Sequence, residues 1–227
     1  ASLPIFLQIE PTNRCNLSCV FCNRREQGRS FGEMTFLEFK EIINSVNPLT
    51  VSLQGWGESL LNKELFQMVE YLETSKKIRV GFNTNLTLVK GNIDSIINSK
   101  LSRLTLSVDN ANEKKNRTYE IKSKSNKSVF TKYRFDELLA GARQLVDARS
   151  DLSLDHPVIQ MDVTVTDDNI NELDKLVELG KEILVDQINF HCVTVYDKNI
   201  ESTYVPVKEV EDRNLVAFKY CNEKGDI

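Results

Sequence analysis

The chain has 227 residues, of which 41% are hydrophobic and 27% charged, and a formal net charge of −4. That length suits one large domain with a substantial core, and the mild acidic balance offers nothing global to attract nucleic acid or an anionic membrane. No apolar run approaches the roughly 18 residues that a membrane-spanning helix needs.

The opening "ASLPIFLQIEPTNR" carries apolar residues but neither a basic leader nor a cleavage pattern before Glu10, so it does not read as a signal peptide. Five cysteines, an odd count, argue against a disulfide framework. The expected compartment is the cytoplasm, where thiols stay reduced.

Strand-like and helix-like runs then alternate. The first strand is predicted at "IFLQIE". After it Thr35 and Glu38 form a capping box ahead of Phe39, Ile42, Ile43 and Val46, an i, i+3, i+4, i+7 stripe. The strand "TVSLQG" precedes a helix that Asn62 can cap, with its stripe at Leu65, Met68, Val69 and Leu72. "RVGFNTN" and "RLTLSVD" follow as the third and fourth strands. From Glu113 to Arg134 eight Lys or Arg stand against two Glu with no clean period, which reads as a long loop or insertion. Stripes at Phe135, Leu138, Leu139 and Ala142 and at Leu173, Leu176 and Val177 flank the fifth strand, "VIQMDVTVT". "QINFHCV" is the sixth strand, and "VPVKEVEDRNLVAFKY" is a last helix. Such alternation predicts crossover units and a parallel sheet.

Parity along the strands says what each face meets. One set is apolar: Leu7 and Ile9; Val51 and Leu53; Val80 and Phe82; Leu104, Leu106 and Val108; Ile159, Met161, Val163 and Val165; Ile188, Phe190 and Cys192. The opposite set is polar: Gln8 and Glu10; Ser52 and Gln54; Asn83 and Asn85; Thr105, Ser107 and Asp109; Gln160, Asp162, Thr164 and Thr166; Gln187, Asn189 and His191. Parallel strands covered on both faces read as continuous apolar runs, and a closed eight-stranded barrel fills its interior with branched apolar side chains. Neither fits. An open, curved sheet with helices outside and a polar lumen inside does, and ligands on such sheets bind at the carboxyl ends of the strands.

The loop after the first strand sits at that end, and it contains "CNLSCVFC", with thiols at Cys15, Cys19 and Cys22. A structural zinc wants four ligands. Zinc would have to borrow Cys192, Cys221 or His191 from far along the chain, which leaves a zinc-binding or electron-transfer protein as the competing class. A 4Fe–4S cube accounts better for three thiols, because three thiolates hold three irons and the fourth iron keeps an open position for a small bidentate ligand.

This Cys-x3-Cys-x2-Cys spacing, with Phe21 before the third cysteine and "EPTNR" before the first, resembles the loop of the radical S-adenosylmethionine enzymes. The resemblance implies an open partial (βα)6 TIM-like barrel, α/β in class, with parallel strands. It also implies Cys15, Cys19 and Cys22 as ligands of a 4Fe–4S cluster whose open iron is chelated by S-adenosylmethionine. One electron then splits the sulfonium, and the 5′-deoxyadenosyl radical takes a hydrogen atom from a substrate. A one-electron reductant of the flavodoxin or ferredoxin type is the implied partner.

Further along, "QGWGESLLN" is similar to the family's Gly-Gly-Glu-Pro turn, with Trp56 and Ser59 as departures; it implies Gly55, Gly57 and Glu58 at the cosubstrate's ammonium group. "NTN" at Asn83 to Asn85 and "LSVDN" resemble the third- and fourth-strand elements, which brings in Asn83, Ser107 and Asp109. Thr164 stands, with Thr166, where the fifth strand approaches the adenosine. Phe21 completes the expected cosubstrate contacts. Glu10, Asp162 and His191 are the lumen candidates for substrate or proton work.

The expected organisation is a core at 1–220, with 221–227 as the start of a cysteine-rich extension where Cys221 would serve an auxiliary iron–sulfur cluster. The expected reaction is oxidation, crosslinking or epimerisation of a peptide or protein side chain by an oxidoreductase- or transferase-type enzyme. A small-molecule substrate, such as a sugar, nucleoside or cofactor precursor, is the alternative. The basic stretch Glu113 to Arg134 would hang over the active mouth as a solvated loop or as a lid for an acidic substrate.

Overall fold

The structure is a computed structural model, and it describes residues 5–19, 22, 24, 28–111, 135–166 and 169–192. The expectations for Phe21, Cys221, the basic stretch and the helix after the sixth strand lie outside these residues, as does the side chain of Cys192.

Six strands form one sheet in chain order, and every pairing is parallel. They are β1 (Phe6–Ile9), β2 (Thr50–Leu53), β3 (Arg79–Thr84), β4 (Arg103–Ser107), β5 (Val158–Val165) and β6 (Gln187–Cys192). Helices α1 (Phe36–Val46), α2 (Leu65–Glu70), α3 (Ile93–Asn98), α4 (Phe135–Asp151) and α5 (Leu173–Ile183) fall between or after them. β1 and β6 each pair on one side only, so the sheet is not closed. No helix among the described residues is long and apolar enough to cross a membrane.

The parity reading is borne out. Ile9, Val51, Leu53, Val80, Phe82, Leu104, Leu106, Val108, Ile159, Met161, Val163 and Val165 are all buried against the helices. Of the opposite row, Ser52, Asn83, Ser107, Gln160, Asp162 and Thr164 are half-buried, and Gln187, Asn189 and His191 are exposed. Facing them from outside, Phe39 and Ile43 of α1, Met68 of α2, Ile96 of α3, Leu145 of α4 and Leu176 of α5 have no solvent exposure. Each such side chain contributes roughly 1.5–3 kcal/mol of burial, which holds the helices to one face only.

Local signals set the helix ends. Thr35 Oγ1 accepts from the Glu38 N–H at 3.3 Å and Glu38 Oε2 accepts from the Thr35 N–H at 2.7 Å, so the capping box forms. Asn62 does more than cap: its Oδ1 accepts from the Glu64 N–H, and its Nδ2 donates to the carbonyls of Pro11 and Met34. The six-residue helix α3 has no counterpart among the predicted elements. One turn and a half is too short to show a helical period, and its buried pair, Ile96 and Ile97, suits a strand equally well.

Candidate active site at the carboxyl ends of the strands

The loop leaving β1 is closed at its neck before it reaches the cysteines. Thr12 bridges Glu33 and donates its hydroxyl to the Gly32 carbonyl at 2.9 Å. Asn13 donates to the Ser30 carbonyl and accepts from the Gly32 N–H, both at 2.8 Å. The Pro11 carbonyl takes the Met34 N–H. The "EPTNR" segment is thus the clasp that closes the chain on either side of Cys15, Cys19 and Cys22.

The turn after β2 stacks on this clasp. The Glu58 N–H donates to the Arg14 carbonyl at 2.8 Å. A Cβ on Gly57 would stand 2.0 Å from the Thr12 carbonyl oxygen and 2.6 Å from that of Arg14, so only glycine lets the two backbones touch. Beside it, Glu10 accepts the Trp56 N–H at 2.6 Å and pairs with Arg29. Ser59, where the related turn has proline, donates to the Leu53 carbonyl.

Glu58 is only 2% exposed. One carboxylate oxygen accepts from the Leu60 N–H and the other from the Asn85 N–H, at 3.2 and 2.7 Å. Burial nevertheless lifts its pKa above the ordinary value, and these bonds partly offset that. The glutamate therefore joins the turns after β2 and β3. Asn85 carries the link onward: its side-chain amide donates to Asn16 Oδ1 at 2.9 Å and to Cys15 Sγ at 3.6 Å.

On the far side, Asp109 leaves β4 buried, and its Oδ1 accepts the Thr164 N–H at 2.8 Å. Burial pushes this carboxyl up to about 6, with the charge of Asp162 adding to the effect. Asn169 clamps the two strand ends, donating to the carbonyls of Asp109 and Thr164 and accepting from the Thr166 N–H, all at 2.8 Å. Thr164 Oγ1 lies 3.2 Å from His191 Nε2, so the histidine joins the same rim. Asp162 accepts from Gln160 at 2.5 Å one position deeper. Asn83 pairs across with Thr105, and Ser107 with Asp162.

The three thiols meet in this ring. Burial raises the pKa of Cys15, opposed by the Leu17 N–H. Cys19 is pushed well above the ordinary range, first by burial and then by the charges of Asp109, Cys22 and Cys15. Thiols so placed resist ionisation until a metal displaces their protons. Among the described residues no three His, Cys, Asp or Glu side chains converge as ligands of one ion; the thiolates of a cube each hold a different iron and stand apart. Half-buried, mutually close thiols on a clasped loop suit a cluster.

The sequence-predicted residues Cys15, Cys19, Gly57, Glu58, Asp109, Thr164 and His191 come together at this mouth. Asn13, Asn16, Thr87 and Asn169 were not foreseen as parts of it. Their one legible signal is polar turn chemistry directly after a strand.

Comparison with known proteins agrees with this geometry. The family model for the radical SAM superfamily matches residues 9–180. A probable GTP 3′,8-cyclase of Methanocella arvoryzae is 27% identical over 91% of this chain and 64% of its own length. An AdoMet-dependent heme synthase of Methanosarcina barkeri is 29% identical over 79% of this chain and 48% of its own length. The chain thus spans about half to two thirds of these curated relatives. Streptococcus suis SuiB, solved with S-adenosylmethionine, superposes with a TM-score of 0.76 at 18% identity, covering 99% of this chain and 49% of SuiB. The enzyme anSMEcpe with bound AdoMet gives 0.69 at 20% identity, over 98% and 62%. At these identities the two structures speak for the fold. The family match sets aside a bare electron carrier or zinc protein. The chain belongs to the radical SAM superfamily, whose cofactors are a 4Fe–4S cluster and S-adenosylmethionine.

Proposed function

We propose that this chain abstracts a hydrogen atom from a peptide or protein side chain, leading to oxidation, crosslinking or epimerisation. When bound, the cluster and S-adenosylmethionine supply the electron and the 5′-deoxyadenosyl radical; the protein's share is binding, orientation and shielding. Cys15, Cys19 and Cys22 hold the cluster. The Gly55–Glu58 turn packs beside it. Asp109, Thr164 and Ser107 line the wall toward the adenosyl group, and Asp162 and His191 face the substrate side. A flavodoxin- or ferredoxin-like protein delivers the electron.

The observation that carries the substrate reading is the open sheet. β1 and β6 each lack a second neighbour, and the polar row ends in exposed Asn189 and His191. An extended segment can therefore enter along the lumen from the side. SuiB has also been solved with its precursor peptide SuiA. A second reading, a nucleotide or other small molecule, is favoured by the curated relatives named as GTP 3′,8-cyclases.

Both readings are tested by anaerobic turnover with S-adenosylmethionine, a reductant and either side-chain-deuterated peptide pools or deuterated GTP. Deuterium in 5′-deoxyadenosine from a peptide pool is the expected result. Label arriving only from GTP would replace the peptide reading by the nucleotide one.

A further inference from the structure

We infer that Asn85 is a positioning residue that tunes the cluster through Cys15, its side-chain amide donating a hydrogen bond to the thiolate. The inference rests on Cys15 being a cluster ligand. Two N–H groups point at Cys15 Sγ: the Leu17 backbone at 3.4 Å and Asn85 Nδ2 at 3.6 Å. The first comes from the cysteine loop itself. The second comes from the end of β3, 70 residues away in sequence, so it couples the sheet to the cluster loop.

The amide's orientation follows from its partners. The Thr87 backbone N–H can only donate, and it lies 3.1 Å from one arm of the Asn85 amide, which must therefore be the oxygen. The other arm is then the NH2 group, with one hydrogen for Asn16 Oδ1 and one for Cys15 Sγ. The surrounding bonds form a closed cycle. Asn85 donates to Asn16, Asn16 donates to Thr87 Oγ1 at 2.7 Å, and the Thr87 hydroxyl donates back to Asn85 Oδ1 at 2.6 Å. The Asn85 backbone is held in turn by Glu58. An amide pinned at every atom is aimed at the sulfur by construction and does not reach it by chance.

Hydrogen bonds to cluster sulfurs favour the more negative, reduced state and so raise the reduction potential. Asn85 thus eases the one-electron reduction that must precede sulfonium cleavage. Asn85→Asp keeps the shape and the bonds from Thr87 but replaces the donor with a carboxylate oxygen.

The test is a potentiometric titration of the reconstituted enzyme, followed by electron paramagnetic resonance, for the wild type, Asn85→Asp and Asn85→Ala. Iron is counted in each. At a fixed solution potential the ratio of reduced to oxidised cluster is expected to fall about tenfold in Asn85→Asp with iron content retained, equivalent to about 59 mV for one electron. Full iron with an unchanged potential in both variants overturns the inference. Because a variant can lose the cluster altogether, the wild type is also labelled with asparagine carrying 15N in the side-chain amide only. Pulsed resonance on its reduced cluster is expected to show a 15N coupling, since the Asn13 and Asn16 amides donate elsewhere. A normal cluster signal with no such coupling overturns the role of Asn85 alone. No cluster signal in the wild type removes the ligand assignment and this inference with it.

Discussion

Gly57→Ala tests how the cluster loop is held. The φ of Gly57 lies outside the left-handed region, so alanine can adopt the backbone and only space is at issue. A methyl group there would overlap the backbone of Thr12 and Arg14, at 2.0, 2.6 and 2.8 Å. Backbone atoms cannot swing aside like a side-chain tip, so the β2 turn and the cysteine loop must separate by more than an ångström. Overpacking of this kind costs about 1–3 kcal/mol. Separation also stretches the Glu58 N–H bond to the Arg14 carbonyl, and a buried donor left without its acceptor costs about 1–3 kcal/mol more. The combined loss is about 3 kcal/mol, a large part of a domain's usual 5–15. Equilibrium urea unfolding under anaerobic conditions reads the stability, and iron content after reconstitution reads the loop. Gly55→Ala is the comparison: its Cβ meets the Glu10 carboxylate group, a side chain that can rotate away, so about 1 kcal/mol is expected, from the lost Trp56 N–H bond. Gly91→Ala, with nothing within 4 Å, is the control. A Gly57→Ala protein with the wild-type urea midpoint and full iron would refute the reasoning.

Three further outcomes follow from the same contacts. Asp109 titrates at about 6 in the folded chain against 3.8 ordinarily. Between those values the folded chain keeps a proton that the unfolded chain has released, so stability falls as pH rises through the window, by about 3 kcal/mol at about 1.4 kcal/mol per unit. Asp109→Asn should flatten most of that slope in urea melts of the cluster-free protein, leaving a residue of the same sign from Glu58; an unchanged slope would disprove it. Asn62→Ala removes the donor shared by the Pro11 and Met34 carbonyls and the acceptor for the Glu64 N–H. It should cost about 2–3 kcal/mol and raise proteolysis near Arg14 and Arg29, and a protease-resistant loop would count against the clasp. Arg149 ties α4 to β6 by pairing with Asp186 and donating to the Pro157 carbonyl, with 12% of its side chain exposed. Arg149→Ala should lower stability by about 2 kcal/mol, less than for a fully buried pair because Asp186 is 36% exposed; a melting temperature within a degree of wild type would contradict this.

How much of this was legible varies with the range of the interaction. The wet lumen was readable because alternation along a strand is local: Gln160, Asp162 and Thr164 face one way and Ile159, Met161 and Val163 the other whatever the rest of the chain does. The Thr35–Glu38 box was readable for the same reason. The position of the cysteine loop followed from the end of β1. The partners at the site were not readable, because they arise where turns distant in sequence meet. Nothing local to "GWGE" says that Glu58 is buried; it is buried because the turn after β3 closes over it and supplies the Asn85 N–H. Asn169 likewise looks like an ordinary loop asparagine until β4 and β5 place the Asp109 and Thr164 carbonyls within its reach.

The most direct test of the account counts iron and sulfide in the anaerobically reconstituted protein and records the resonance spectrum of its reduced state with and without S-adenosylmethionine. The account predicts about four irons per chain and a signal that changes when S-adenosylmethionine is added, because three thiolates leave one iron open to it. Zinc in place of iron, or a cluster signal indifferent to S-adenosylmethionine, would contradict it.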